Sequence, residues 1–340
     1  MSKRAPSPLE GSRQKAKVEA WHHRLKRYSG AMRPLPLLLA YLLAVFAGGA
    51  LLAPWLHCLA QAAAQVWPGL NSLAQSPFHR FLNRSLLLLA LAGLWPLMRG
   101  LGARSWADLG FCGGAAARHW GKGFLLGFGS LALVALLALG SGARDINWER
   151  DGAQVARHLF NATIAALLVS VLEEILFRGA VFGGLRRHYG APLALAVSSL
   201  VYALVHFLAP ARHAGPVRWD SGLALLPAML AGFGDWRALT PAFFNLMLAG
   251  FLLALVYQRA GSLFAAIGLH AGWIFWLKTF GFFTVAATPA ASWLWGAGKL
   301  IDGWGTLLAL ALVWPAARWL WVPATPKETG KGDGTTPGAP

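Results

Sequence analysis

Eight apolar runs, each long enough to cross a lipid bilayer, restrict what this chain can become. They fall at about 35–54, 83–99, 121–141, 158–184, 191–209, 241–258, 261–283 and 304–321. A hydrocarbon core of about 30 Å needs about 20 residues of helix, and lipid offers no partner for backbone N–H and C=O groups. Each run must therefore close its own backbone hydrogen bonds. The composition agrees, with 56% of residues hydrophobic and only 13% charged, about half the charged share of a soluble chain. The short alternating segments of a membrane β-barrel do not occur. The expected fold is all-α, a polytopic membrane helical bundle of about eight transmembrane helices.

A formal net charge of +17 raises the question of nucleic acid, and the placement of the charge answers it. Residues 1–33 carry nine Lys and Arg against Glu10 and Glu19. Most of the remainder sits at the ends of apolar runs, in 99–122, in the turn Leu185 to Gly190 and at Arg259. Basic residues distributed in this way are cytoplasmic flanks, not a nucleic-acid surface. An even number of spans puts both termini on one side, here the cytoplasm, in a multi-pass cell-membrane protein. The basic tail is also suited to anionic headgroups of the bilayer. Cys58 and Cys112 fall on opposite sides of that topology, so no disulfide is expected between them.

The chain divides into a basic cytoplasmic tail (1–33), N-terminal transmembrane helices (34–156), a core (157–284), a C-terminal transmembrane helix (285–321) and a Pro/Gly/Thr-rich tail (322–340) expected to be disordered. Pro and Gly interrupt two amphipathic pieces, 55–75 and 220–237, and the second reads as a re-entrant or interfacial segment. Trp293, Trp295 and Trp304 at one end of the last span, with Trp314, Trp319 and Trp321 at the other, read as aromatic belts. Gly123-x-x-x-Gly127 and Gly179-x-x-x-Gly183 are spaced for close helix packing.

Against this apolar background the ionisable residues within the runs stand out: Glu173, Glu174, Arg178, His206 and His270. Charge at bilayer depth costs a few kcal/mol or more, which makes such residues functional candidates. Glu173 precedes Arg186 by 13 residues, His206 follows Pro192 by 14, and His270 follows Arg259 by 11. At 1.5 Å per residue these are depths of about 20, 21 and 16 Å, one layer near the middle of the membrane. Glu174 and Arg178 are i and i+4 on a helix and can pair. Glu173 points about 100° away, toward Phe177, and is left without a counter-ion. A carboxylate unpaired in a partly dry cavity suits general-base work on water. Two histidines beside it can orient that water, support an oxyanion or bind a metal.

The motifs "EEILFR" (Glu173 to Arg178), "YALVH" (Tyr202 to His206) and "SLFAAIGLHAGWI" (Ser262 to Ile274) resemble, in order, E-E-x-x-x-R, F-x-x-x-H and H-x-x-x-N/D. Each is weak alone, but three in order on the fourth, fifth and seventh spans are similar to the CPBP family, the CAAX-protease and bacteriocin-processing intramembrane proteases. The resemblance covers roughly 157–284. It implies that Glu173 activates water, that Glu174 and Arg178 support it, and that His206 and His270 complete the site. The family is commonly described as metalloproteases, so zinc on His206 and His270 is possible, although catalytic zinc usually takes three protein ligands. Tyr202 departs mildly from the family's Phe. Ile274 departs further, since isoleucine cannot give the polar help of Asn or Asp, and Asn245 is a candidate substitute. Tyr202 and Asn245 are thus assigned to substrate binding.

The expected activity is an intramembrane endopeptidase cutting a membrane-associated peptide or protein near the cytoplasmic half of the bilayer. A non-catalytic peptide-binding or bacteriocin self-immunity protein with the same fold is the alternative that Ile274 favours. A proton-coupled transporter could also bury Glu and His, but the repeated halves of that class are not evident.

Overall fold

A computed structural model describes residues 34–111, 115–209, 211–287, 292–296 and 299–321. The basic tail, Cys112 and the C-terminal tail lie outside the described residues. Helices dominate: α1 (Pro34–Val66), α2 (Phe78–Gly100), α3 (Ala116–Gly140), α4 (Gly152–Glu174), α5 (Gly183–Tyr189), α6 (Ala191–Val205), α7 (Ser221–Met229), α8 (Trp236–Ala260), α9 (Leu263–Phe283) and α10 (Trp304–Leu320). A π-helical stretch, Ile175–Phe182, joins α4 to α5 in one rod from Gly152 to Tyr189. The chain is an all-α polytopic membrane bundle, and among the described residues six helices are long and apolar enough to cross.

Two of the eight expected spans form helices shorter than the other six. The fifth and eighth runs form α6 and α10, of 15 and 17 residues, about 22 and 26 Å long at 1.5 Å per residue. α6 begins after Gly190, whose φ of 83° lets the chain reverse directly out of α5. It ends at Val205, so the expected run 191–209 loses its last turn.

The first run is longer than expected, because Pro54 does not end it. Proline cannot donate to the carbonyl of Ala50, four residues back, which should weaken the helix there. Gly222 of α7 packs directly on that carbonyl, where any Cβ would collide with it. A Cα–H contact can take up part of the unmet demand, and α1 continues to Val66. Piece 55–75 is therefore mostly helix: the end of α1, a 3-10 turn at Pro68–Leu70 and a one-turn helix at Asn71–Ala74. Piece 220–237 forms α7 and the 3-10 turn Leu230–Phe233. Leu225 and Met229 pack with Ala50, Ala53, Phe78, Phe81 and Leu82 in a second, smaller apolar cluster.

α9 is the centre of the main core, with almost every residue from Leu263 to Ile274 buried. A helix apolar all round belongs inside a bundle. Its tightest neighbour is α3. A Cβ at Gly123 or Gly127 would strike the carbonyls of Ala265 or Leu269, and one at Gly268 or Gly272 would strike the α3 backbone at Trp120 or Phe128. Four glycines thus bring two backbones together on either side of His270. Gly179 and Gly183 make no comparable crossing, since the backbone atoms they approach, the carbonyls of Glu174 and Arg178, belong to their own rod.

The sequence reading did not anticipate a two-stranded antiparallel sheet, β1 (Arg144–Ile146) with β2 (Thr284–Ala286), at the end of the bundle where α9 stops. Arg144 is buried there, donating to Thr284 Oγ1 and O and lying over the Phe280 ring. Of the belt tryptophans, Trp293, Trp314 and Trp319 are exposed, but Trp321 is only 4% exposed and packs in the core.

Candidate active site

The last turn of α4 carries Glu173 and Glu174, immediately before the backbone loosens into the π-helical stretch. Such wide turns recur at functional sites because they re-aim side chains within a continuous helix. Glu173 is partly exposed to a cavity of about 600 Å³, whose wall also includes Tyr202, His206, His270, Trp273 and Ile274. Glu174 is fully buried behind that wall.

Glu174 Oε1 accepts from Arg178 Nη1 at 2.9 Å and from His270 Nδ1 at 2.8 Å. Arg178 also donates to the carbonyl of Gly250 on α8 at 3.2 Å and stacks over the Tyr202 ring at 4.5 Å. The sequence assigned Glu174 only to Arg178. Glu174 also holds His270, and through Arg178 it ties α4, α6, α8 and α9 together.

Both imidazoles are pinned by Nδ1. His206 Nδ1 lies 2.7 Å from the carbonyl of Tyr202, which can only accept, so Nδ1–H donates. His270 Nδ1–H donates to the Glu174 carboxylate in the same way. In each neutral ring Nε2 is then the lone-pair nitrogen. Those two atoms lie 3.7 Å (His206) and 3.9 Å (His270) from Glu173 Oε2. That carboxylate oxygen is buried and has no hydrogen-bond partner. The Tyr202 hydroxyl stands 3.3 Å from His270 Nε2, to which it donates.

The five ionisable residues singled out in the sequence therefore meet, with one difference in setting. His206 is not inside a helix but at the C-cap of α6, where the chain leaves the bundle layer. Tyr202 lies on the cavity wall. Asn245 does not. Its Nδ2 donates to the carbonyls of Ile301 and Gly303, at 2.7 and 2.9 Å, so both amide hydrogens are engaged in anchoring the loop before α10. Its expected role as a substitute for the missing Asn or Asp is corrected: it is a loop anchor.

A catalytic zinc usually takes three protein ligands. Among the described residues no group of three or more His, Cys, Asp or Glu side chains is disposed to hold one metal ion. With Glu173 as base, two imidazoles remain where such sites use three protein ligands.

From Glu173 the cavity extends along α9 past Ile274 and Leu277 to Lys278, and across to Lys299, Asp302 and Thr306 before and within α10. This mouth lies at the β1–β2 end of the bundle, opposite Arg186, Arg187 and Arg259. Burial raises the Asp302 carboxyl above the usual range, opposed by a hydrogen bond from the Lys299 N–H. The sequence reading missed these residues. Lys278 had a signal, since it follows His270 by eight residues and so shares its helix face. Lys299 and Asp302 lie in a connection without periodicity and had none.

Residues 155–276 match the family described as type II CAAX prenyl endopeptidase Rce1-like. The match spans all three motifs and supports a CAAX-type intramembrane protease family for this chain. No curated protein and no solved structure matches.

Proposed function

From the Rce1-like match and the cavity together, we propose that the chain is an intramembrane endopeptidase that hydrolyses a peptide bond of a membrane-associated peptide or protein with water activated by Glu173. One observation carries the reading: a partnerless carboxylate oxygen within 4 Å of two imidazole Nε2 atoms on the wall of a substrate-sized cavity. Polar atoms this far apart suit a bridging water. Such a water donates one hydrogen toward Glu173 Oε2 and the other toward an Nε2 lone pair, and its oxygen faces the cavity. Glu173 accepts the proton as the water oxygen bonds to the scissile carbonyl carbon, then passes it to the departing amine when the C–N bond breaks. Glu174 and Arg178 hold His270 in the tautomer that this needs.

The apolar wall accepts the extended, largely hydrophobic chain of such a substrate. With the basic turns and both termini in the cytoplasm, the mouth at Lys278 and Lys299 faces the other side. The substrate then approaches from the non-cytoplasmic face, not the cytoplasmic half of the bilayer. Ile274 favours a second reading, a peptide-binding or self-immunity protein that does not cleave. The test is a peptide library offered to purified protein in detergent, with Glu173→Gln alongside. Cleavage by the parent alone supports the peptidase, whereas equal binding by both without cleavage establishes the second reading.

A further inference from the structure

Peptide hydrolysis develops negative charge on the scissile carbonyl oxygen, and a site that accelerates it needs a donor aimed at that oxygen. Ile274, one helical turn beyond His270 and on the same wall, offers none. The other polar groups on the wall can be taken in turn. Glu173 is an acceptor. His206 and His270 carry their protons on Nδ1, turned away from the cavity, and present lone pairs. The Thr306 hydroxyl donates to the Leu300 carbonyl, and the Trp273 indole N–H to Ser130 Oγ at 2.9 Å. Lys278 lies eight residues past His270, about 12 Å along the helix, and Lys299 and Asp302 share its end of the cavity. What remains beside Glu173 is the Tyr202 hydroxyl.

That hydroxyl is well placed. The Tyr202 ring is 3% exposed and clasped by Arg178 at 4.5 Å, by the edge-on Phe177 ring at 5.1 Å and by His206 at 4.4 Å. Its present bond to His270 Nε2, at 3.3 Å, is a long one. Rotation about the C–O bond redirects the hydrogen while the ring stays still, so the donor is preorganised. The same rotation frees the Nε2 lone pair to accept from the attacking water.

We propose that Tyr202 is a catalytic residue whose hydroxyl donates to the oxyanion, replacing the polar help that Ile274 does not give. This rests on the peptide-hydrolysis reading of the same cavity. As water oxygen bonds to the carbonyl carbon, Glu173 takes the water proton, and the C=O electron pair moves onto oxygen beneath the Tyr202 O–H. The hydroxyl keeps its proton throughout. On collapse the C=O re-forms, the C–N bond breaks and the amine leaves with the proton from Glu173, giving one carboxylic acid and one amine.

Tyr202→Phe removes the oxygen and keeps the ring. Losing one oxyanion donor typically costs about 100- to 1000-fold, so kcat should fall by about that factor, while KM changes by less than about 3-fold. A phosphonate analogue of the cleaved peptide should lose affinity in the same proportion, because it mimics the tetrahedral state. The intact peptide, measured on the inactive Glu173→Gln background, should bind Tyr202→Phe unchanged. Adding Ile274→Asn to Tyr202→Phe should recover about 10-fold or more of the lost rate, as the restored amide supplies a second donor of the same worth. A Tyr202→Phe enzyme within about 3-fold of the parent in kcat overturns the proposal and leaves the peptidase reading standing. Equal losses for phosphonate and intact peptide, with no rescue by Ile274→Asn, would instead make Tyr202 a positioning residue for His270. Absence of cleavage by the parent on any library member removes the peptidase reading, and this inference with it.

Discussion

Glu173 and Glu174 are neighbours in sequence, yet their replacement should have opposite consequences for stability. Glu174 is fully buried, and its Oε1 receives two charge-assisted or polar bonds, from Arg178 at 2.9 Å and His270 at 2.8 Å. Glu174→Ala leaves the Arg178 guanidinium, itself 2% exposed, with only the Gly250 carbonyl and the Tyr202 and Phe177 rings. Stranding a buried charge in this way costs about 3–5 kcal/mol. At about 2 °C per kcal/mol for a chain of this size, Tm should fall by about 6–10 °C. Glu173 is 27% exposed on its side chain and approaches its histidines no closer than 3.7 Å. Its loss as Glu173→Gln should change stability by less than about 1 kcal/mol, the ceiling for a solvent-screened pair. Tryptophan fluorescence during heating in one detergent reads both variants, and peptide cleavage is followed in the same preparations. Activity should vanish in Glu173→Gln at nearly parental Tm, and fall in Glu174→Ala together with Tm. Matching Tm values for the two variants would refute the division between a reacting and a supporting carboxylate.

The anchoring role of Asn245 predicts that Asn245→Leu lowers Tm and loosens the 300–303 connection, seen as faster proteolysis there, while Ile274→Asn leaves Tm unchanged. Reporter fusions at the N-terminus, after Arg187 and after Trp321 should read cytoplasm, and fusions near Arg212 and Trp295 the opposite face; a reversed result would move the cavity mouth to the cytoplasm. Gly268→Leu should prevent accumulation of folded protein, because the side chain would enter the α3 backbone at Trp120; normal yield and Tm would contradict the close α3–α9 crossing. Active protein should contain well under one zinc per chain and survive chelation. One tightly bound zinc, lost with activity and restored with it, would instead make ligands of His206 and His270.

Periodicity and cost made much of this legible without coordinates. Runs of apolar residues had to be helices because lipid cannot satisfy a backbone. Glu173, Glu174, Arg178, His206 and His270 stood out as functional candidates because charge and polarity are costly among such residues. The Glu174–Arg178 pair followed from helical spacing alone. The length of α1 was not legible: Pro54 reads as a stop, yet the helix runs on to Val66, with Gly222, 168 residues away, packed on the freed carbonyl.

The same distinction separates the residues of the site from their roles. Sequence determined which side chains carry charge into the bundle and roughly at what depth, since both follow from rise per residue along one helix. It could not show that Glu174 holds His270, 96 residues distant, or that Asn245 spends its hydrogens on the loop before α10. Nor could it show that the Tyr202 hydroxyl faces His270 Nε2. Hydrogen-bond partners across helices depend on how the bundle packs, and here four glycines at the α3–α9 crossing help set the position of His270. Local spacing therefore named the residues, whereas packing between distant segments decided which of them faces the cavity, which is buried behind it and which only anchors.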